Sequence, residues 1–291
     1  MIKRLKAGRV AYNLVGAYYQ FYFRLSNRKA EMPIIVYQMG KVGSQSIIKT
    51  LETLNLSRPI YHVHRITLDG LEYIEERAEN MGRLYPGKNY WSGQYLRQKL
   101  KNRSSVDSWD IISMIRDPVA RNLSAFFHGL NYWYPEAQEE YDQLDDQVLF
   151  TNIRQVFLNK FPHDRPITWF NSEIRSIFGI DIFSGHFPKE KRYKIYDGEQ
   201  DRLLLIRLED FNRCYREAMH EFLRIEFEKF TLVKANIATQ KWYGLLYVDF
   251  LNWLVLPSDY LKKLYGSRLI QHFYSREEIK QFRQKWSRRI E

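Results

Sequence analysis

The sequence predicts an α/β fold built on a central parallel sheet, and three observations predict it. Short continuous apolar runs recur at 34–37, 60–64, 111–115 and 203–208, as strands covered on both faces require. Segments with helical spacing alternate with them, among them 45–54, 117–130 and 211–227. Two of the strands end in a turn that opens directly into a helix, the local unit of such folds.

The first of these junctions spans residues 34–46, Ile-Ile-Val-Tyr-Gln-Met-Gly-Lys-Val-Gly-Ser-Gln-Ser. A strand over Ile34–Tyr37 meets a glycine turn that holds Lys41, and a helix opens through Ser44, Gln45 and Ser46. Amide groups at a helix start have no intrahelical partner, and the helix dipole favours negative charge there. Gly40 and Gly43 permit tight backbone geometry, the two serines add hydroxyl donors and Lys41 adds a full charge. This is an anion cradle. It is not the nucleoside-triphosphatase loop G-x-x-x-x-G-K-[ST], because Lys41 precedes the second glycine instead of following it. Taken alone, the segment also reads as a plain glycine turn with a solvated lysine.

The second junction spans 111–127. The strand ends at Arg116, Asp117 suits a helix N-cap, and Pro118 suits the first helical position. Arg121, Ser124 and His128 follow at spacings of three and four, on one helix face. An arginine fork matches phosphate oxygens, so Arg116 and Ser124 are candidates to clamp one phosphate.

These residues carry a resemblance. Lys41-Val42-Gly43-Ser44 resembles the 5′-phosphosulfate loop of carbohydrate sulfotransferases, and Arg116-Asp117-Pro118-x-x-Arg121-x-x-Ser124-Ala125-Phe126 resembles their 3′-phosphate motif. The resemblance implies a P-loop-containing nucleotide hydrolase-like three-layer fold. It also implies the donor 3′-phosphoadenosine 5′-phosphosulfate (PAPS). Lys41, Val42, Gly43, Ser44, Gln45 and Ser46 would hold the 5′ end, and Arg116 and Ser124 the 3′-phosphate. Gln45-Ser46 departs from the hydroxyl pair found in many relatives.

A third strand, Ile-Tyr-His-Val-His at 60–64, places His62 and His64 on one side by its period of two. Tyr-His-x-His is similar to the stretch of heparan uronyl 2-O-sulfotransferases whose second histidine is the base, and the match falls on His64. Either histidine could also be a hydrogen-bonded core residue. No third ligand stands at metal-binding spacing, and no metal is expected.

Downstream, Trp169-Phe170-x-x-Glu173, Phe178-Gly179-Ile180-Asp181 and Arg207-Leu208-Glu209-Asp210-Phe211 resemble a bacterial branch tied to capsular polysaccharide synthesis. That branch is named for an Asn-Lys-Trp-Tyr-Ser signature. Here Gln240-Lys241-Trp242-Tyr243-Gly244 keeps its centre and changes both flanks. His272-Phe273-Tyr274-Ser275-x-Glu277-Glu278-Ile279 is similar to the C-terminal element of such enzymes. The likeness runs over about residues 32–285.

Composition sets bounds. Of 291 residues, 45% are hydrophobic, enough for a sizeable core, so disorder is excluded as the general state. One cysteine, Cys214, rules out an intramolecular disulfide and is expected to be a buried small apolar residue. The net charge of +11 is uneven: residues 1–30 hold Lys3, Arg4, Lys6, Arg9, Arg24, Arg28 and Lys29 and no acidic residue. Their Leu14, Tyr18 and Tyr22, and their Val15, Tyr19 and Phe23, keep helical spacing. Residues 1–31 therefore read as a basic aromatic amphipathic segment, and 32–291 as the sulfotransferase-like domain. The segment either lies on an anionic membrane surface or packs on the body. Its apolar run is too short to span a bilayer, and no signal-peptide cleavage pattern follows. The lack of an N-terminal anchor favours a cytoplasmic bacterial enzyme, with attachment to the inner face of the membrane open. The acidic stretch 135–146 is expected to be an exposed loop or lid, and the glycine- and base-rich stretch 82–105 to line an acceptor cleft.

The expected activity is sulfuryl transfer from PAPS to a hydroxyl of a glycan or glycolipid. Lys41 would stabilise the leaving phosphate and His64 would take the acceptor proton. Two alternatives stand beside it: a P-loop kinase or NTPase, which should need Mg²⁺ and ATP, and a non-catalytic module binding anionic glycans. The weak charge outside residues 1–30 argues against nucleic acid as a partner.

Overall fold

Five strands form one sheet in the order β2-β1-β3-β5-β4 in the computed structural model, which describes residues 2–26, 32–231 and 241–287. In chain order the elements begin with helix α1 (Ile2–Ser26), β1 (Ile34–Tyr37), α2 (Ser44–Thr53), β2 (Ile60–Val63), α3 (Leu68–Asn80), α4 (Lys88–Asn102) and β3 (Asp110–Ile115). There follow α5 (Pro118–His128), α6 (Leu130–Trp133), α7 (Ala137–Gln143), α8 (Asp146–Lys160) and α9 (Arg165–Trp169). A π-helical turn (Phe170–Arg175) leads into α10 (Ser176–Phe178), β4 (Tyr193–Asp197), β5 (Arg202–Arg207) and α11 (Phe211–Leu223). The chain ends in α12 (Gly244–Trp253), α13 (Ser258–Tyr265), α14 (Arg268–Phe273) and α15 (Arg276–Ser287). Arg28, Lys29 and Gln240, which figure in the sequence reading, lie outside the described residues.

The chain divides into two compact units. Unit 1 comprises Met1–Ile115, Trp169–Ser184 and Lys191–Lys234; unit 2 comprises Arg116–Thr168, Gly185–Glu190 and Ala235–Glu291. The whole sheet belongs to unit 1. β1 pairs in parallel with β2 and with β3, and β3 in parallel with β5. β4 joins β5 antiparallel at the edge. Every residue of β1 and β3 is buried, which is why these runs carry no polar alternation. Tyr61 packs on Phe23 and Tyr95, so that side of the sheet is covered by α1 and α4. On the other side a β-carbon built on Gly43, just ahead of α2, would meet Met114 of β3.

Four of the five strands stand where the apolar runs predict them. β4 does not announce itself, because its burial follows neither a continuous run nor an alternation: Tyr193 and Tyr196, on opposite faces, are buried while Lys194, Ile195 and Asp197 are not. The acidic stretch is mostly helical, forming α7 with Glu139 exposed and Glu140 half-buried, accepting from the Tyr134 hydroxyl. The stretch 82–105 is largely α4, which buries Tyr90, Trp91, Tyr95 and Leu96 and packs on β2 and α1. Its role in unit 1 is core packing, and its lysines end up on the outer side.

In unit 2, Asp117 caps α5 by accepting from the Val119 amide at 2.9 Å, with Pro118 in the first turn, as Asp-Pro predicts. The same carboxylate accepts from Tyr265 Oη at 2.9 Å and from Trp286 Nε1 at 3.3 Å, pinning α13 and α15 to the start of α5. Ser275 and Glu278 form a reciprocal capping box at the start of α15, with bonds of 2.7 and 3.2 Å. That local duty accounts for the spacing of the C-terminal motif.

Candidate active site

The loop between β1 and α2 combines two features of an anion cradle. Gly43 is the N-cap of α2, in the left-handed region at φ 87°, and offers no side chain to the helix start. No acidic residue stands in the first turn to compete with an external anion. A side chain could not replace this glycine, since its β-carbon would lie 2.7 Å from Leu208 Cδ1 and 2.9 Å from Met114 Cε. The second left-handed residue is Lys41, at φ 75°, and not Gly40. A lysine in that region costs roughly 1–2 kcal/mol relative to glycine. Such strain concentrates where function holds it in place. Ser44 is buried, while Lys41, Gln45 and Ser46 are half-buried.

β2 brings its histidines to this loop. The His62 and His64 rings stand 4.7 Å apart, edge to face, on one side of the strand as its period predicts. His64 Nδ1 lies 2.7 Å from the Gln38 carbonyl oxygen, so in the neutral ring it donates and Nε2 becomes the acceptor nitrogen. That Nε2 would be 3.9 Å from a β-carbon on Gly40, so the glycine exposes the loop backbone to the ring edge. His62 differs. Burial, reinforced by the nearby His64 and Lys88, pushes its pKa down to about 3, and its Nε2 has no hydrogen-bond partner. A ring that weakly basic is a poor proton acceptor at neutral pH, so the geometry separates two histidines that the sequence leaves equivalent.

The turn after β2 is held from far away in the chain. Glu173, fully buried in the π-helical turn, accepts five hydrogen bonds. They come from the Tyr37 hydroxyl, Arg65 Nη1 at 3.0 Å, the Ile66 and Thr67 amides at 3.0 and 3.2 Å, and Thr67 Oγ1 at 2.7 Å. Trp169 Nε1 donates to the His64 carbonyl at 3.0 Å. The Trp169–Glu173 motif therefore fixes residues 64–67, and with them the direction of His64. A side chain on Gly70 would run into Glu173, at 2.4 Å from its Oε1. Sequence spacing had no way to show this, because the partners lie more than a hundred positions apart. The Arg207–Asp210 motif is also structural. Arg207 Nε donates to Asp210 at 2.7 Å, Arg192 adds a 3.0 Å ion pair, and Leu208 sits against Gly43. Cys214 is buried as expected, and that burial pushes its thiol up to about 11.

Unit 2 carries the second group of candidates. Arg116 directly follows the last residue of β3. Tyr247 of α12 hydrogen-bonds Ser124 and feels the Arg116 charge, while burial pushes its phenol pKa up. Arg116 and Ser124, paired by sequence alone, thus converge on one tyrosine that sequence reasoning missed. One turn further along α5, Lys241 Nζ donates to His128 Nδ1 at 3.2 Å. Tyr243 and Tyr247 pack on Phe127, with ring centres 6.1 and 4.9 Å away. The Lys-Trp-Tyr signature therefore lies along the same helix as the predicted phosphate residues. Arg121, on that face by spacing, is instead buried and donates to Asn122 Oδ1 at 3.1 Å.

Comparison with known proteins bears on this stretch. Residues 140–275 match one family, described as "Putative capsular polysaccharide synthesis protein". The match covers α8 to α14, and so includes Glu173, Arg207, Lys241 and Tyr247. The residues before it, among them Lys41, His64, Arg116 and Ser124, lie outside. No curated protein and no solved structure matches the chain.

Proposed function

We propose that this chain is a biosynthetic enzyme of capsular polysaccharide assembly that moves a sulfuryl group from PAPS to a glycan hydroxyl. The family match supports the polysaccharide context. The sulfuryl chemistry rests chiefly on one observation: an uncapped helix start behind a left-handed lysine, with the acceptor nitrogen of a histidine facing the same loop. On this reading the sheet belongs to the P-loop-like three-layer class. β1 and β3 are adjacent parallel strands, so their carboxyl ends leave the sheet side by side, which the double-phosphate donor requires.

The residues then divide the work. Val42 to Ser46 and the α2 amides receive the 5′-phosphosulfate. Arg116 and Ser124, with Tyr247 beside them, receive the 3′-phosphate. The acceptor hydroxyl loses its proton to His64 Nε2 as its oxygen bonds to sulfur, and the bond between sulfur and the 5′-phosphate oxygen breaks. Lys41 offsets the charge that accumulates on that oxygen. The donor is consumed as a substrate, and no residue is covalently modified.

A thermal-shift comparison of adenosine 3′,5′-bisphosphate with ADP and with Mg-ATP tests the donor class. Stabilisation by the bisphosphate alone is the expected result; preference for Mg-ATP would assign a kinase or NTPase instead. With radiolabelled PAPS and capsular acceptors, His64→Ala should cut turnover by about a hundredfold or more while donor affinity holds. Arg116→Ala should raise the donor Kd with a smaller effect on turnover. Unchanged bisphosphate affinity in Arg116→Ala would remove the clamp.

A further inference from the structure

Helix α1 is apolar on two opposite sides, and only one of them is used by unit 1. Tyr12, Gly16, Tyr19 and Phe23 face inward. Tyr12 Oη lies 2.6 Å from Tyr90 Oη, Tyr19 stacks on Trp91, and Phe23 packs on Tyr61 and Tyr95. Gly16 gives Trp91 room, since a β-carbon there would lie 2.8 Å from the indole. This face already anchors the helix. Val10, Leu14, Tyr18, Phe21 and Leu25 form a second stripe. Their exposures are 59, 66, 61, 63 and 40%. At 100° per residue these five fall within an arc of about 80°, and they extend over roughly 22 Å of helix.

A helix that packs by one face ordinarily turns polar residues outward. Here the outward face is aliphatic and aromatic, and the charge around it has one sign. Residues 1–30 hold seven basic side chains and no acidic one. Of these, Arg9 and Arg24 are exposed near the two ends of the stripe, and Lys88 of α4 sits over the Tyr22 ring at 5.3 Å. An apolar stripe with tyrosines and phenylalanine, edged only by cations, matches the boundary between acyl chains and anionic headgroups. Among the described residues no helix is long and apolar enough to cross a membrane, so the fit is to a helix lying flat.

We propose that the outer face of α1 is a docking surface for an anionic lipid bilayer, holding the protein peripherally where lipid-linked or membrane-proximal acceptors are. The docking is independent of which reaction the chain catalyses. A protein partner or a second copy could use an apolar face too, but neither would call for a segment, residues 1–30, with seven basic residues and no acidic one.

The test is co-sedimentation of the full chain with phosphatidylglycerol-containing vesicles and with pure phosphatidylcholine vesicles. The surface variant Leu14→Ser/Tyr18→Ser/Phe21→Ser leaves the inner face intact, and circular dichroism confirms its fold. Expected are binding to the anionic vesicles, at least a tenfold loss of partitioning in the variant, and a severalfold loss on raising salt. Arg9→Gln/Arg24→Gln should weaken binding to anionic vesicles severalfold. Failure of the wild type to bind, or equal binding by the triple variant, overturns the proposal. So does a concentration-dependent dimer, seen by sedimentation velocity, that the triple variant abolishes while vesicle binding is absent.

Discussion

The two strand-to-helix junctions look alike in sequence and are opposite in structure. At the start of α2 the cap is Gly43, which contributes no side chain, and the backbone before it is strained at Lys41. At the start of α5 the cap is Asp117, whose carboxylate already accepts from Val119, Tyr265 and Trp286. The first helix start has no side-chain cap; the second is filled by an internal carboxylate. On the proposed reading, an anion near α5 would be gripped by the side chains of Arg116 and Ser124 and not by helix amides, since the Asp117 carboxylate occupies that helix start.

The sharpest way to break this contrast is at Lys41. Replacement by glycine removes the charge and also relieves the left-handed strain. Transfer should fall by two to three orders of magnitude, the cost of losing a donor aimed at developing charge. Folding stability, followed by urea denaturation, should stay level or rise by about 1 kcal/mol. A variant that lost stability instead would show that the lysine serves the fold, and the open-junction reading would go with it.

Asp117→Ala probes the filled junction. It removes a cap and strands buried donors on Tyr265 and Trp286, so a loss of about 3 kcal/mol is expected. Bisphosphate affinity, measured below the melting transition, should change little. A large affinity loss in a folded Asp117→Ala protein would mean that the second helix start takes part in ligand binding after all. Gly43→Ala tests the open one. Its β-carbon would meet Leu208 and Met114 and sit at an unfavourable φ, so stability should drop by about 2 kcal/mol, with nucleotide binding impaired.

How much of this was legible beforehand depends on how local each cause is. The Asp-Pro cap is a two-residue signal and reads directly. The buried strands read from their apolar runs, because burial on both faces leaves no other composition. The open cap read from its glycines, but which residue is left-handed did not, since Gly40 is the better candidate by type and Lys41 holds the position. Glu173 was visible only as part of a motif. Its five partners belong to residues 37 and 65–67, and no spacing rule links a π-helical turn to them. Tyr247 and the Lys241–His128 pair were hidden for the same reason. In α4 the exposed lysines read directly from the sequence, while the aromatic side packed beneath them did not.

The histidine pair offers the cleanest sign. His62 has an ordinary pKa of 6.5 when unfolded and about 3 in the folded chain, where burial and the proximity of His64 and Lys88 hold it neutral. Between those values the unfolded state binds a proton that the folded state refuses. Stability contributed by the neutral ring is thus present above pH 6.5 and declines as pH falls toward 3, at about 1.4 kcal/mol per unit. His62→Asn should flatten this part of the curve, because it removes the buried ring that resists protonation. Denaturation midpoints of wild type and His62→Asn between pH 3 and pH 6.5, the two His62 values, supply the comparison. Parallel curves for wild type and His62→Asn would mean that His62 titrates normally in the fold. The reason for setting His62 aside as a base would then be gone.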